Sequence, residues 1–358
     1  MTTIMLIFVT ALFFGSVGTP LAKSLAVKLG FIAVPKADRA HTEPTALMGG
    51  IAIYMAAIGA VLLITIVTLV SLGGDPYRLQ EFFSIVIAAS LMAVIGLWDD
   101  RRPLPAWVKL GLQVIPATVV FVAGARVQLP LLQNNNLNLA LNYIITVCWI
   151  LFITNAVNFL DNADGIAIMT SATTSAIFLL IAVLNGQQLV SILAAAILGA
   201  SVGFARYNLP LPRSTIFMGD SGSLFLGFLL AVLGVKIRVP TNAVQITWMV
   251  PIIVLGLPIF DTTLVFISRK RRRVSFFQGG VDHTTHRLAR LGMDKLSVAL
   301  TISLISGALG LVAIFITQAS LGEAYVVAIT LLFVALFSLW RLEFRASYQF
   351  RTGRIPAG

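Results

Sequence analysis

Charge is what this sequence has least of. Only 11% of its 358 residues are Asp, Glu, Lys or Arg, against about 25% in a soluble globular protein. So few charges cannot solubilise a chain that is 58% hydrophobic, and soluble domains are excluded. Cysteine is nearly missing. Cys148 stands alone, so no intramolecular disulfide forms and the fold does not depend on redox compartment. Three histidines and one thiol leave no closed zinc set. Acids are few beside bases, 14 against 25, for a net charge of +11. Low-complexity stretches, coiled-coil heptads and internal repeats are also lacking. No nucleic-acid partner is expected.

What is present in quantity is apolar length. A bilayer-spanning helix needs about 20 mostly apolar residues. Eleven such segments run near 2–20, 47–72, 82–98, 107–125, 140–158, 165–184, 188–206, 221–235, 246–267, 296–317 and 323–340. The first has no basic residue before its apolar stretch and no small-residue cleavage site, so it is expected to be retained. The expected fold is an all-α polytopic membrane protein of about eleven helices. It has one membrane domain over 1–340 and a basic tail over 341–358.

Charge bias orients the bundle. Arg78, Arg126, Lys236 and Arg238 fall in one set of connections, and the other 21 of the 25 basic residues fall in the alternate set. The richer side is expected to be cytoplasmic, with the N-terminus outside and the C-terminus inside. Eleven of the 14 acids lie on that same side; Asp75, Glu81 and Glu323 are the exceptions. Positive-inside bias does not predict this second asymmetry. A transporter more often keeps ionisable groups near the bilayer midplane. Acids and bases at helix ends on one face fit a site that handles a charged substrate at the lipid boundary.

Five constellations occupy that face. Trp98-Asp99-Asp100-Arg101-Arg102 ends the third segment. Its adjacent carboxylates repel and need a cation or basic partners, for which Arg101 and Arg102 are at hand; otherwise it is a solvated helix end. Asn155-Ala-Val-Asn158-Phe-Leu-Asp161-Asn162-Ala-Asp164-Gly165 places Asp161 and Asp164 on one face if helical, or forms a helix cap and turn. Phe217-Met-Gly-Asp220-Ser-Gly-Ser223 opens an apolar run. It suits either a phosphate at a helix N-terminus or simple capping by Asp220 or Ser221. Asp282-His283-Thr284-Thr285-His286-Arg287 follows the basic run 269–273 and suits charge-assisted contact with phosphate. The basic run equally serves topology or anionic lipid. The fifth, Pro35 to Thr45, carries Lys36, Arg39 and His41 and leads into Gly49-Gly50. Asp261, near the inner end of the ninth segment, is either functional or paired with the basic loop after it.

In this order the motifs name a family. NAVNFLDNADG, FMGDSGS, the WDD helix end, PxxDRxHxxPT with its following GG, and DHTTHRL resemble the polyprenyl-phosphate N-acetylhexosamine-1-phosphate transferases. These are relatives of the MurNAc-pentapeptide translocase. The resemblance covers residues 30–292. Four positions depart from the usual pattern: Asn162 for glycine, Thr285 for histidine, Ala40 for lysine and Ala46 for proline.

The resemblance implies transfer of a sugar-1-phosphate, GlcNAc-1-phosphate first, from a UDP-N-acetylsugar to undecaprenyl phosphate, with release of UMP. It implies a catalytic domain in the bacterial inner membrane with its active site facing the cytoplasm. Mg²⁺ is the implied cofactor and Mn²⁺ its substitute, with Asp220 and Asp161 as ligands. Asp99 and Asp100 would position or deprotonate the lipid phosphate, and Asp164 would support metal or nucleotide. Asn158 and Phe217 would hold uridine. His283, His286 and Arg287 would hold the diphosphate, and Lys36, Arg39 and His41 are further anion binders. The alternatives are another UDP sugar, such as UDP-MurNAc-pentapeptide or a deoxy-amino sugar, a lipid flippase or transporter, and an inactive lipid-binding homologue. A homodimer is left open.

Overall fold

The computed structural model describes residues 1–33, 45–72, 76–240, 242–277 and 280–345. Helix dominates because lipid offers no partner for backbone N–H and C=O groups, and a helix satisfies them internally. The elements run α1 (Thr2–Leu29), β1 (Ile32–Ala33), β2 (Thr45–Ala46), α2 (Gly49–Leu72), α3 (Pro76–Arg101), α4 (Ala106–Val122), α5 (Asn135–Leu160), α6 (Ile166–Leu184), α7 (Gln188–Asn208) and α8 (Gly219–Lys236). After them come α9 (Val244–Thr247), α10 (Met249–Val254), α11 (Gly256–Arg272), α12 (Thr284–Arg290), α13 (Lys295–Ile316), α14 (Leu321–Trp340) and a π-helical turn over Arg341–Arg345.

Each of the eleven apolar segments lies on helix. Among the described residues nine helices are long and apolar enough to cross a membrane alone, and α9–α11 bring the number to ten if they count as one bent span. Ala106–Val122 is apolar but shorter. The segment expected as one helix over 246–267 is instead broken, with a 68° bend. Pro258 explains the break. It has no N–H to offer the carbonyl of Val254, and its ring crowds that carbonyl.

Helix α8 is the axis of the bundle. Every residue from Ser221 to Val235 is buried, and α8 packs against α2, α3, α5, α6 and α7. This is why its sequence is apolar all round rather than striped. Helix α14 is peripheral. Ala324 is its one buried residue, and Ile329, Leu332, Phe333, Leu336 and Phe337 are exposed to whatever surrounds the bundle.

Two local devices place the polar loops. Strands β1 and β2 pair antiparallel, Ile32 opposite Ala46. That ladder extends to the segment before α8: Phe217 N–H donates to Ala46 O at 2.9 Å, and Gly49 N–H donates to Phe217 O at 3.0 Å. The start of α8 is thereby stitched to the start of α2. At the other ends, Asp294 caps α13 through Ser297 N–H, and Ser320 with Glu323 forms a capping box on α14.

Candidate functional site

The ends of α3 and α5 and the starts of α4 and α8 converge on one ammonium group. Lys109 Nζ, on the first turn of α4, lies 2.7 Å from Asp99 Oδ2 and 2.8 Å from Asp220 Oδ2. Asn158 Oδ1 is 3.4 Å away. The Asn158 amide donates to Asp220 Oδ1 at 2.6 Å and to Ser223 Oγ at 2.8 Å. Asp99 also accepts the Leu104 N–H at 2.6 Å, which folds the α3–α4 turn back on itself. The side chains of Asp99 and Lys109 are 9% and 13% exposed, and that of Asp220 is 33% exposed. Asp220 is therefore the group an incoming ligand reaches most readily.

Asp100 points the other way and caps α8. Its carboxylate accepts Asp220 N–H at 2.7 Å and Ser221 N–H at 3.0 Å. A negative charge on the first free N–H groups of a helix is stabilising. The cap comes from another helix rather than from Asp220 or Ser221, which corrects the local capping reading. It also corrects the free-phosphate reading, because the N-terminus of α8 is already filled by a carboxylate. Gly219 makes room for it. Its φ is 70°, and a Cβ there would sit 2.8 Å from both Asp100 oxygens.

The adjacent carboxylates of α3 are not neutralised by Arg101 and Arg102, as their sequence neighbourhood suggests. Helical geometry carries Arg101, two residues on, around the helix from Asp99, and Arg102 lies beyond the last residue of α3. Arg101 instead stacks over the Phe31 ring, 4.8 Å from its centroid. Both arginines line an apolar groove of about 430 Å³ with Phe31, Val94, Leu97 and Trp98.

Asp161 and Asp164 do not share a helix face. Helix α5 stops at Leu160, Asp161 is its C-cap, and the chain turns until Gly165, at φ 80°, opens α6. Asp164 pairs with Lys295 at 3.5 Å. Burial pushes the Asp161 carboxyl up to about 8, and the negative charges of Asp220, Asp100 and Asp164 push in the same direction.

The histidines form a second cluster, built on α11 and α12. Asp261 is fully buried. It accepts from His283 Nδ1 at 2.8 Å and from Thr284 N–H at 2.6 Å, so it orients the imidazole and caps α12 together. The pairing of Asp261 is thus with the histidine rather than with the basic run. His286 stands beside His283, ring centroids 6.0 Å apart. Burial, with the charges of His283 and Arg290, lowers its pKa. Burial would raise the Asp282 carboxyl, but Arg272 and Arg269 outweigh it and hold it low. The two clusters are linked. Thr285 Oγ1 donates to Asn162 Oδ1 at 2.5 Å, and the Phe276 ring packs edge-on against Phe159.

Arg287 is engaged by protein rather than open to a diphosphate. Nε donates to Asp282 O at 2.9 Å, and the terminal nitrogens reach Leu342 O, Ser268 Oγ and Glu343 Oε2 at 2.5, 3.2 and 2.7 Å. Four of its five donors are used and one is left. Asn158 likewise directs its amide into the carboxylate cluster rather than outward to a base. Phe217 is partly exposed just before α8. Lys36, Arg39 and His41 lie outside the described residues. Sequence reasoning missed Lys109, although a lone lysine in the apolar stretch Trp107–Pro116 is itself a signal, since such residues are rarely idle. It also missed Glu343.

Among the described residues no three His, Cys, Asp or Glu side chains form a closed metal cage. Magnesium does not need one. It takes one or two carboxylates and completes its shell with water and substrate phosphate. Here the carboxylates of Asp99 and Asp220 already converge on a cation, the Lys109 ammonium, with the Asn158 carbonyl beside it. The partly exposed Asp220 carboxylate, whose charge Asp161 feels, fits the carboxylate chemistry of that ion.

The model of glycosyl transferase family 4 matches residues 82–238, the stretch that carries Asp99, Asp100, Lys109, Asn158, Asp161, Asp164 and Asp220. A probable undecaprenyl-phosphate N-acetylglucosaminyl 1-phosphate transferase of Bacillus subtilis is 29% identical over 342 residues, covering 94% of this chain and 92% of the relative. A decaprenyl-phosphate N-acetylglucosaminephosphotransferase of Mycobacterium tuberculosis is 28% identical over 310 residues, covering 79% and 74%. A phospho-N-acetylmuramoyl-pentapeptide-transferase of Levilactobacillus brevis is 27% identical over 207 residues, covering 54% and 62%.

Proposed function

We propose that the chain is a member of glycosyl transferase family 4 and that it transfers GlcNAc-1-phosphate from UDP-GlcNAc to undecaprenyl phosphate, releasing UMP. One observation carries the reading: Asp99, Lys109, Asn158 and Asp220, from four helices, meet at helix ends rather than at midspan. The lipid tail of the acceptor then stays in the bilayer while its phosphate reaches the cluster. The apolar groove beside Trp98 and Leu97 offers that tail a seat one turn or less from Asp99. The distribution of 21 basic residues against four supports a cytoplasmic setting for this face, where nucleotide sugars are made, and a bundle of apolar helices suits the bacterial inner membrane.

The reaction joins two anions. An oxygen of the lipid phosphate attacks the β-phosphorus of the donor, and a new P–O bond forms. The bond from that phosphorus to the bridging oxygen breaks, and UMP leaves with the electron pair. The acceptor needs little help from a base, since the second pKa of a phosphate monoester is about 6. Bound Mg²⁺, for which Mn²⁺ substitutes, supplies charge neutralisation to the diphosphate. Asp220 and Asp161 would hold it. Lys109 presents a fixed positive charge to the transferred phosphoryl group, held in place by Asp99. Asp100 acts through structure, by fixing the turn that presents Asp220. His283, oriented by Asp261, and His286 meet the diphosphate from the other side.

The test is UMP release by the purified protein in detergent, with undecaprenyl phosphate, Mg²⁺ and a panel of UDP sugars. UMP formed with UDP-GlcNAc, dependent on lipid phosphate and absent in Asp220→Ala, is the expected result. No UMP with any donor, from wild-type protein shown to be folded, overturns the reading and points to lipid transport.

A further inference from the structure

The C-terminal segment is basic in sequence, with four arginines among residues 341–358, and reads as a lipid anchor. Its single acid contradicts that picture. Glu343 is 1% exposed, although it follows a helix whose inner half is exposed. It lies in a π-helical turn, Arg341–Arg345. Such turns are rare and widen the helix locally, which here returns the chain to the bundle.

Two arginines converge on the Glu343 carboxylate. Arg271 Nε, at the end of α11, donates to Oε1 at 2.7 Å. The Arg287 guanidinium, on α12, donates to Oε2 at 2.7 Å. The backbone repeats the contact: Leu342 O accepts from Arg287, and Glu343 O accepts from Arg271 at 3.3 Å. The Arg271 guanidinium also lies over the Phe344 ring, 5.2 Å from its centroid.

Helix α12 needs this. It has seven residues, too few to persist as an isolated helix in water, where about 12–15 are marginal. Its position is therefore set by outside contacts: Asp261 at its start, Asn162 at Thr285, and Glu343 at Arg287.

We infer that Glu343 is a positioning residue, which locks the inner end of the last membrane helix onto α12 and so holds His283 and His286 where the donor binds. This rests on the proposed role of the two histidines toward the diphosphate. Glu343 does not itself touch substrate. Its carboxylate sets the Arg287 guanidinium, and that guanidinium sets the helix.

The experiment uses full-length protein carrying Glu343→Gln, which keeps the shape and removes the charge. Backbone hydrogen exchange of residues 283–290 is measured without substrate, and steady-state kinetics are measured with both substrates. Exchange in α12 is expected to quicken at least tenfold, while exchange in α8 stays as in wild type. The KM for the UDP sugar is expected to rise about tenfold, and the KM for the lipid phosphate to stay within twofold. A merely structural loss would lower the active fraction and leave both KM values alone. If Glu343→Gln does not fold, Arg287→Lys probes the same contact from the other side, keeping the charge and losing the fork. Unchanged exchange in α12 overturns the inference, as does an unchanged donor KM in an enzyme that turns over. Wild-type protein that releases no UMP overturns the proposed reaction instead, and the exchange measurement then decides the positioning role by itself.

Discussion

Thr285 donates its hydroxyl hydrogen to Asn162 Oδ1 at 2.5 Å, and this one bond joins the histidine helix α12 to the turn that carries Asp161 and Asp164. Both residues depart from the motifs that this chain otherwise resembles, and they do so where they meet. An amide and a hydroxyl replace a glycine and an imidazole, and they satisfy each other. Thr285 is 2% exposed, so its hydroxyl would be costly to bury without that partner.

A double-mutant cycle tests the coupling. Thr285→Val and Asn162→Ala should each lower kcat/KM for the nucleotide sugar about fivefold. The double variant should be no worse than the worse single one, because the second change removes a bond already lost. That corresponds to a coupling of about 1 kcal/mol, typical of one hydrogen bond. Multiplying effects would show that the contact has no role in turnover.

Lys109 gives the second prediction. Its ammonium separates two carboxylates, so Lys109→Met leaves Asp99 and Asp220 unscreened. In chelator the variant should lose about 3–5 kcal/mol of stability, as a broken buried pair does. Added Mn²⁺ should restore much of that, because a divalent cation takes over the screening. It should not restore turnover, which is expected to stay about 100-fold down for want of a fixed positive charge. Thermal melts with and without Mn²⁺, beside UMP release, separate the two effects. Near-normal kcat would remove Lys109 from the chemistry.

Asp161 gives a pH dependence whose sign is fixed. Its carboxyl sits at about 8 in the folded chain, raised by burial and by neighbouring carboxylates, against an ordinary 3.8. Between those values the folded protein holds a proton that the unfolded chain has released. Stability is therefore fully present below 3.8 and falls as pH rises through about 8. In chelator the melting temperature of wild type should drop between pH 6 and pH 9 by more than that of Asp161→Asn, whose amide has no such proton. Mg²⁺ should flatten the wild-type slope, since a nearby cation favours the carboxylate. Parallel slopes in the two proteins would refute the account.

Much of this architecture was legible because lipid leaves the backbone little choice. Each long apolar run became helix, and the ends of those runs placed the motifs. What sequence hid was direction in space. Asp99 and Arg101 are two residues apart, yet the carboxylate faces Lys109 and the guanidinium faces Phe31. Asp161 and Asp164 have helical spacing, but the helix ends at Leu160, so spacing meant nothing there. Pro258 did announce the break in the ninth segment, and its signal was masked by the length of the apolar run. Glu343 was invisible because a single acid in an arginine-rich tail looks solvated. Only the fold shows it turned inward.

Gly96 gives the last prediction, and it separates position from chemistry. Here α3 crosses the start of α8 with no side chain between them. A Cβ on Gly96 would lie 2.5 Å from the Asp220 carbonyl carbon and 2.5 Å from Ser221 Cα, and would collide with Asp220 O. These are backbone atoms, so no rotamer change relieves the clash, and one helix must move. Overpacking of this kind costs about 1–3 kcal/mol. The movement also pulls the Asp220 and Ser221 N–H groups away from Asp100, whose bonds to them are 2.7 and 3.0 Å. Gly96→Ala should therefore lower the melting temperature and reduce kcat at least 100-fold, although it adds one methyl group and removes no polar atom. Its residual activity should need more Mg²⁺ for half-saturation, since Asp220 is displaced. Gly111→Ala, on α4 with nothing within 4 Å of the new Cβ, is the control and should behave as wild type. Full activity in Gly96→Ala would mean that the α3–α8 crossing tolerates a shift, and that Asp100 does not hold Asp220 in place.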